Sequence, residues 1–391
     1  MLPTYLAKWM SRLGTENAFV VLAKARELEA KGKEVIHLQI GEPDFDTPSN
    51  IIAAAKKALD DGFTHYGPSA GLPILREAIC KEMKKTRNLD VKPDQVVIAP
   101  GGKPIMFYTM MTLIDPGDEV IIPNPGYPIY ESVANYVGAK VIPLPLLEEK
   151  DFRFDPDVIT KLVNEKTKLI VVNSPQNPTG GILTKEDLKV IADLAIKYDC
   201  WILADEIYSH MVYEGKFETI TQFNGLPERT ILLDGFSKTY AMTGWRMGYG
   251  VMPKELASYM TQLQTNVVSH TASFIQIAGV EALSERTDNA VNKMVDEFKK
   301  RREVIVAGLN RIPKIHCCMP HGAFYVFPNI SAYGIDEQTF ADRLLNEGGV
   351  AGLSGTSFGQ YGKGFIRLSY ANSIENINKA LNKIEDFVKK I

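Results

Sequence analysis

A chain of 391 residues with 44 Lys and Arg against 47 Asp and Glu has a net charge of −3, too mild a balance to mark a nucleic-acid or anionic-membrane surface. That length calls for one large and one smaller domain, and no apolar run approaches the span of a bilayer. The opening MLPTYLAKWMSRLG lacks the apolar core of a signal peptide, and the four cysteines show no C-x-x-C spacing, so a reducing, cytoplasmic setting is expected.

In chain order, an amphipathic helix is expected over Phe19–Lys31, followed by a strand in VIHLQI. Short apolar runs then alternate with helical patterns: QVVIA, EVIIP, AKVIPL, KLIVVN, CWILAD and TILLDG all read as buried strands. Between two of them lies a helix over Thr184–Tyr198, with Thr184 as N-cap and Asp187 near the helix's positive end. Such alternation predicts an α/β fold with a mostly parallel sheet covered on both faces. After about Leu283 the pattern changes to a long charged helix (Asn289–Asn310) and short strands in GAFYVF and GFIRLSY. A closing helix follows, with Ile374, Ile377, Leu381, Ile384 and Val388 on one face. The division expected is a large domain over 46–285 and a smaller α+β domain built from 286–391 together with 1–45.

Polar residues gather where strands end, which is where open α/β sheets bind ligands. After QVVIAP come Gly101, Gly102, Lys103 and a proline, a combination that exposes backbone N–H groups at a helix start and suits an anion. After KLIVVN comes SPQNPTG with Asn177 between prolines. After CWILA come Asp205, Glu206 and Tyr208, and after TILLDG come Ser237 and Lys238. The chain contains no G-x-x-x-x-G-K-[ST], no early G-x-G-x-x-G and no G-x-S-x-G, which disfavours a P-loop enzyme, a Rossmann dehydrogenase and a serine hydrolase. The six histidines show no ligand spacing, so no metal is expected.

An amine, a carboxylate, a phenol, an amide and a phosphate cradle together suit one ligand, pyridoxal 5'-phosphate. At GEPDFDTP, YGPSAG, SPQNPTG, DEIY, SKTYAMTGWRMGY and FIRLSYA the chain resembles the class I/II aminotransferases of the fold-type I pyridoxal-phosphate enzymes, nearly end to end. The resemblance implies a seven-stranded, mostly parallel sheet in the large domain and a ping-pong transfer of an amino group between an amino acid and a 2-oxo acid. It implies that Lys238 forms the Schiff base and moves the proton at the substrate Cα. Asp205 is implied to pair with the ring nitrogen, and Tyr208 and Asn177 with the ring oxygen. Ser237, Arg246 and the Gly101–Gly102 backbone are implied to hold the phosphate, with Tyr127 flat against the ring. Arg367 is implied to clamp the substrate α-carboxylate, with Gly41 close by. Tyr66 resembles a tyrosine that reaches the phosphate of a neighbouring subunit, which implies a homodimer with shared sites.

Substrate choice is less determined. Lys103 matches a position where some bacterial aspartate aminotransferases set a lysine against an acidic side chain, but those enzymes have Trp where this chain has Tyr127. They also carry a small hydroxyl near Ala18, so aspartate, alanine and aromatic donors all stay open, with 2-oxoglutarate or pyruvate as acceptor. A carbon–sulfur β-lyase would use the same cofactor residues. A cofactor-sensing regulator would need an added DNA-binding segment.

Overall fold

The structure, a computed structural model, describes residues 5–391. Helix α1 (Asn17–Ala30) precedes the two-residue strand β1 (Ile36–His37), and helices α2 (Ser49–Asp60) and α3 (Pro73–Arg87) lead into the large sheet. That sheet collects β2 (Val96–Ala99), β3 (Glu119–Asn124), β4 (Lys140–Pro145), β5 (Thr167–Asn173), β6 (Trp201–Asp205), β7 (Thr230–Gly235) and β8 (Gly248–Val251). Its connections include α4 (Lys103–Leu113), α5 (Pro128–Val137), α6 (Pro156–Leu162) and α7 (Lys185–Lys197). Beyond β8 come α8 (Lys254–Val268), α9 (Ser273–Ala282) and the long α10 (Glu285–Leu309). The chain closes with β9 (Tyr325–Val326), α11 (Glu337–Arg343), β10 (Val350–Ala351), β11 (Leu353–Ser354), β12 (Ile366–Ser369) and α12 (Ile374–Val388).

The large sheet has the order β2-β8-β7-β6-β5-β3-β4, and only β8 runs against its neighbours. Strand side chains alternate between faces, so a continuous apolar run is needed when both faces are covered. Ile121, Ile170 and Ile202 accordingly pack toward Leu188 and Ile191 of α7. Their chain neighbours Val120, Leu169 and Leu203 pack on the other face with Met110 of α4, Val133 of α5 and Met260 of α8. Thr184 caps α7 as expected: Asp187 N–H donates to Thr184 Oγ1 at 3.2 Å, and Thr184 N–H donates to Asp187 Oδ2 at 2.9 Å.

Strand β8 was not among the predicted elements. GYGV is short, and its two glycines remove the alternating side chains from which a strand is read. Those glycines have a packing reason: a Cβ on Gly248 would meet the Gly102 nitrogen at 2.7 Å. Helix α1 starts before Phe19, and VIHLQI shortens to β1, which pairs in parallel with β10. Helix α10 starts earlier than Asn289, because Glu285 and Asp288 place carboxylates at its positive end. The three short strands β11-β12-β9 form an antiparallel sheet. Phe298 and Ile305 of α10 pack there with Ile377 and Ile384 of α12, the face that the closing amphipathic pattern predicted.

Candidate active site

The ends of β2, β5, β6 and β7 converge on a cavity of about 850 Å³, whose other wall comes from Glu16 to Asp44 and from Tyr325, Arg367 and Asn372. Of the residues singled out in the sequence, Gly41, Gly102, Lys103, Tyr127, Asn177, Asp205, Tyr208, Ser237, Lys238, Arg246 and Arg367 all line it. Gly101 lies one residue behind the wall, and Tyr66 lies elsewhere.

The antiparallel direction of β8 explains how Arg246 arrives. Gly248 opens β8 opposite Ala99 at the end of β2 and Gly235 at the end of β7. The residues just before β8 therefore enter from the same sheet edge as the residues just after β2 and β7. Arg246 has a left-handed backbone (φ 53°), and its Nη1 donates to the Thr243 carbonyl at 2.7 Å. Gly101 is also left-handed (φ 98°), and a Cβ there would collide with Arg246 Nη2. A glycine is required on both counts. Pro104 in the first turn of α4 has no N–H of its own to leave unpaired at this helix start.

Lys238 Nζ donates to the Gly41 carbonyl at 2.5 Å and lies 5.8 Å from the centre of the Phe324 ring. Burial draws its pKa down to about 8; Glu42 and Glu16 oppose that, and Arg367 and Arg246 assist it. Asp205, at the end of β6, is 3% exposed. Burial pushes its carboxyl up to about 6, against hydrogen bonds from Tyr130 Oη at 2.5 Å and the Ile207 N–H at 3.2 Å. Tyr208 is buried, with its hydroxyl 2.8 Å from that of Tyr325, and burial followed by Tyr325 raises its pKa well above the usual phenol range.

Arg367, from β12, is buried between the Tyr325 and Phe358 rings, its guanidinium carbon 4.6 and 4.9 Å from their centres. Nη1 donates to Asn177 Oδ1 at 3.0 Å and Nη2 to the Gln39 carbonyl at 2.5 Å. Its Nε is buried with no partner among the described residues. Asn177 is itself fixed by its N–H donating to Asn173 Oδ1 at 3.1 Å. Gly41 has no room for a side chain, because a Cβ there would run into the Tyr325 hydroxyl.

Lys103 does not stand free in the cavity. Its Nζ lies 2.7 Å from Glu16 Oε2, which also accepts from Tyr127 Oη at 3.1 Å. Tyr66 is 89% exposed and lies outside the cavity, edge-on to His270 with ring centres 5.4 Å apart. Sequence reasoning did not single out Tyr130, Tyr325 or Glu16. Tyr130 sits three positions after Tyr127 in NPGYPIY, where one helical turn brings both to the same face. Nothing local distinguishes Tyr325 or Glu16, since each acts across the chain. The fold also gathers His316, Cys318 and Glu148, none of which lines the cavity, although the histidines read as scattered in the sequence.

A family model described as aminotransferase class I and II matches residues 33–384. An aspartate aminotransferase of Pyrococcus horikoshii is 45% identical over 368 residues, covering 93% of this chain and 94% of its own. An aromatic-amino-acid aminotransferase of Thermococcus litoralis is 40% identical, over 92% of this chain and 94% of its own. Among solved structures, the aspartate aminotransferase of Thermus thermophilus with maleate superposes with a TM-score of 0.94 at 36% identity, over 99% of this chain and all (100%) of that one.

Proposed function

The chain belongs to the class I and II aminotransferases, a pyridoxal-phosphate-dependent family, and from that premise we propose which of its residues do the work and on what substrates. The observation that carries the reading is Lys238: an amine of pKa about 8, held on the Gly41 carbonyl in the same cavity as Asp205 and Arg367. Pyridoxal phosphate, when bound, supplies an electrophilic aldehyde and a ring that accepts electrons from the substrate Cα.

The residues present suit that group. The space a Cβ would fill between Gly101 and Arg246 leaves bare backbone and a guanidinium at a helix start, as a phosphate requires. Ser237, Arg246 and the Gly101–Gly102 backbone would hold the phosphate. Asp205 would hold the ring nitrogen, Tyr208 and the Nδ2 of Asn177 the ring oxygen, and Tyr127 would pack on the ring. Lys103 stands at the edge of the same cradle.

Lys238 removes the proton from the donor's Cα and delivers one to the acceptor. An amine of pKa about 8 exchanges protons readily near neutrality, whereas an ordinary lysine would stay charged. Arg367 orients the substrate through its α-carboxylate. Its flat guanidinium, pinned by two aromatic rings, lines the cavity with its donors in a fixed plane. Gln39 and Asn177 hold the fork in place, so little freedom is lost when a carboxylate arrives. The donor is an aspartate, alanine or aromatic amino acid, and the acceptor 2-oxoglutarate or pyruvate.

The domain division runs with 46–285 as the large domain and 1–45 with 286–391 as the small one; the β1–β10 pairing supports the grouping. We place the enzyme in the cytoplasm as a homodimer whose partner supplies Tyr66. The exposure of Tyr66, Tyr5 and Trp9, none of which lines the cavity, supports that reading. Among the described residues no helix is long and apolar enough to cross a membrane.

The test is a panel of amino donors against 2-oxoglutarate and pyruvate, run beside Lys238→Ala. The wild type should transfer amino groups at steady state, and Lys238→Ala should show no turnover and no borohydride-trapped cofactor. Trapping on another lysine would overturn the assignment.

A further inference from the structure

Lys103 is the first residue of α4, at the positive end of that helix's dipole, where a second positive charge is unfavourable. Glu16, the N-cap residue of α1, compensates: the 2.7 Å pair places an anion between Lys103 and the Tyr127 hydroxyl. The pair sits on the cavity wall beside Ala18, Phe19 and Met106, which are apolar. The other carboxylates of that wall are already engaged. Glu42 accepts from Thr243 Oγ1 at 2.9 Å, and Asp44 pairs with Arg301 at 2.6 Å. Lys103 is therefore answered by the protein itself, which leaves Arg26 as the other cation near this part of the cavity lining.

We propose that Glu16 sets side-chain selectivity by holding the charge of Lys103, so that the site favours aromatic and large apolar side chains over acidic ones. The proposal rests on the reading that Arg367 takes the α-carboxylate, because that contact fixes which end of the substrate reaches this wall. An acidic side chain must displace Glu16 from Lys103, or sit beside it and meet like-charge repulsion, whereas a phenyl ring packs on Phe19 and Met106 without disturbing the pair. Glu16 is thus a positioning residue that acts through Lys103.

The experiment compares holoenzymes of the wild type, Glu16→Gln, Lys103→Ala, Arg26→Ala and the Glu16→Gln/Lys103→Ala double variant. Two ratios are read: kcat/KM for glutamate over phenylalanine, and equilibrium binding of succinate over 3-phenylpropanoate, neither of which reacts. Glu16→Gln should raise both ratios about tenfold, the size of one partly exposed charge contact. The gain should vanish in the double variant. Lys103→Ala alone should lower both ratios, since it leaves the Glu16 carboxylate on the wall without its cation. Arg26→Ala tests the other cation near this wall: unchanged ratios are expected, and a fall in both would make Arg26 the residue that takes acidic side chains and would overturn the proposal.

Unchanged ratios in Glu16→Gln would overturn the proposal. So would a gain that survives loss of Lys103, or a wild type that itself prefers glutamate to phenylalanine. If Glu16→Gln fails to fold, the wild-type ratios decide the matter, and a preference for the acidic ligands in both overturns the proposal. Failure of the underlying transamination reading would look different: no amino donor would turn over in the wild type, whereas failure here leaves turnover intact and only the ratios unmoved.

Discussion

Lys238 and Asp205 both feel burial, but because they carry opposite charges the same physics moves their pKa values toward neutrality from opposite sides. The consequence for stability has a definite sign. Between about pH 8 and 10.5 the unfolded chain keeps a proton on Lys238 that the folded chain has shed, so this group's contribution rises with pH across that window. In cofactor-free protein, the unfolding free energy of wild type minus that of Lys238→Met should therefore climb by about 1–3 kcal/mol from pH 8 to 10.5. A flat difference in urea titrations would mean that the amine is solvated. Asp205 behaves in reverse: its carboxyl is raised to about 6, so its contribution falls as pH rises from about 4 to 6. Asp205→Ala should keep its cofactor yet lose roughly a thousandfold or more in kcat, the several kcal/mol that an electrostatic group of this kind supplies in a transition state. A loss under about tenfold would separate Asp205 from the chemistry. At Arg367 the expected result is a shared loss. Arg367→Lys should cut kcat/KM for every amino and oxo acid by about 2–4 kcal/mol, because all of them carry the same α-carboxylate.

Among the elements, the junctions between strand and helix carry the site, and they are built with little tolerance. The β2–α4 turn needs Gly101 for its backbone angle and for the space occupied by Arg246. Gly62 provides a control, having φ +84° with nothing within 4 Å of a Cβ. Gly62→Ala should cost about 1 kcal/mol of stability through backbone strain alone. Gly101→Ala should in addition weaken pyridoxal phosphate binding about tenfold or more, as measured by fluorescence titration, since Arg246 must move. Equal behaviour of the two variants would remove the phosphate from this turn. Behind the site, the ends of β6 and β7 are tied to α3 by a buried cation. Arg87 Nε lies 2.6 Å from Glu206, and Nη2 lies 2.6 Å from Asp234 and donates to Ser209 Oγ at 3.1 Å. Burial works against that charge, but Glu206 and Asp234 more than offset it and hold the guanidinium pKa above its usual value. Removing Arg87 strands two buried carboxylates. Arg87→Leu should thus lose about 3–5 kcal/mol in denaturant unfolding, far more than an exposed pair such as Lys57–Asp61.

For the molecule as a whole, the proposal to test is the homodimer with shared sites. Tyr66 is nearly fully exposed, and the pocket it shares with His270 is separate from the main cavity, which suits a side chain meant for a neighbour's site. The protein should sediment as a dimer. Tyr66→Phe should loosen pyridoxal phosphate about tenfold, the worth of one hydrogen bond to a charged oxygen, without changing the sedimentation coefficient. A monomer at micromolar concentration would refute the shared-site proposal.

What could be read from the chain alone was whatever neighbouring residues specify together. Alternating apolar runs and helical patterns pointed to a covered parallel sheet, and Thr184 with Asp187 set the start of α7, because hydrophobic period and capping are local properties. Ser237, Lys238 and Arg246 were visible as candidates because they crowd one short segment. The tertiary structure alone decided what depends on contacts between distant positions. Strand β8, too glycine-rich to show a pattern, runs against the sheet and so turns Arg246 toward Gly101. Tyr130 meets Asp205 from 75 residues away, and Glu16 meets Lys103 from 87. Such pairs leave no mark on the neighbouring sequence, since each partner's pattern answers only to its own element. The charge of Lys103 was legible in the sequence, but its neutralisation required the fold.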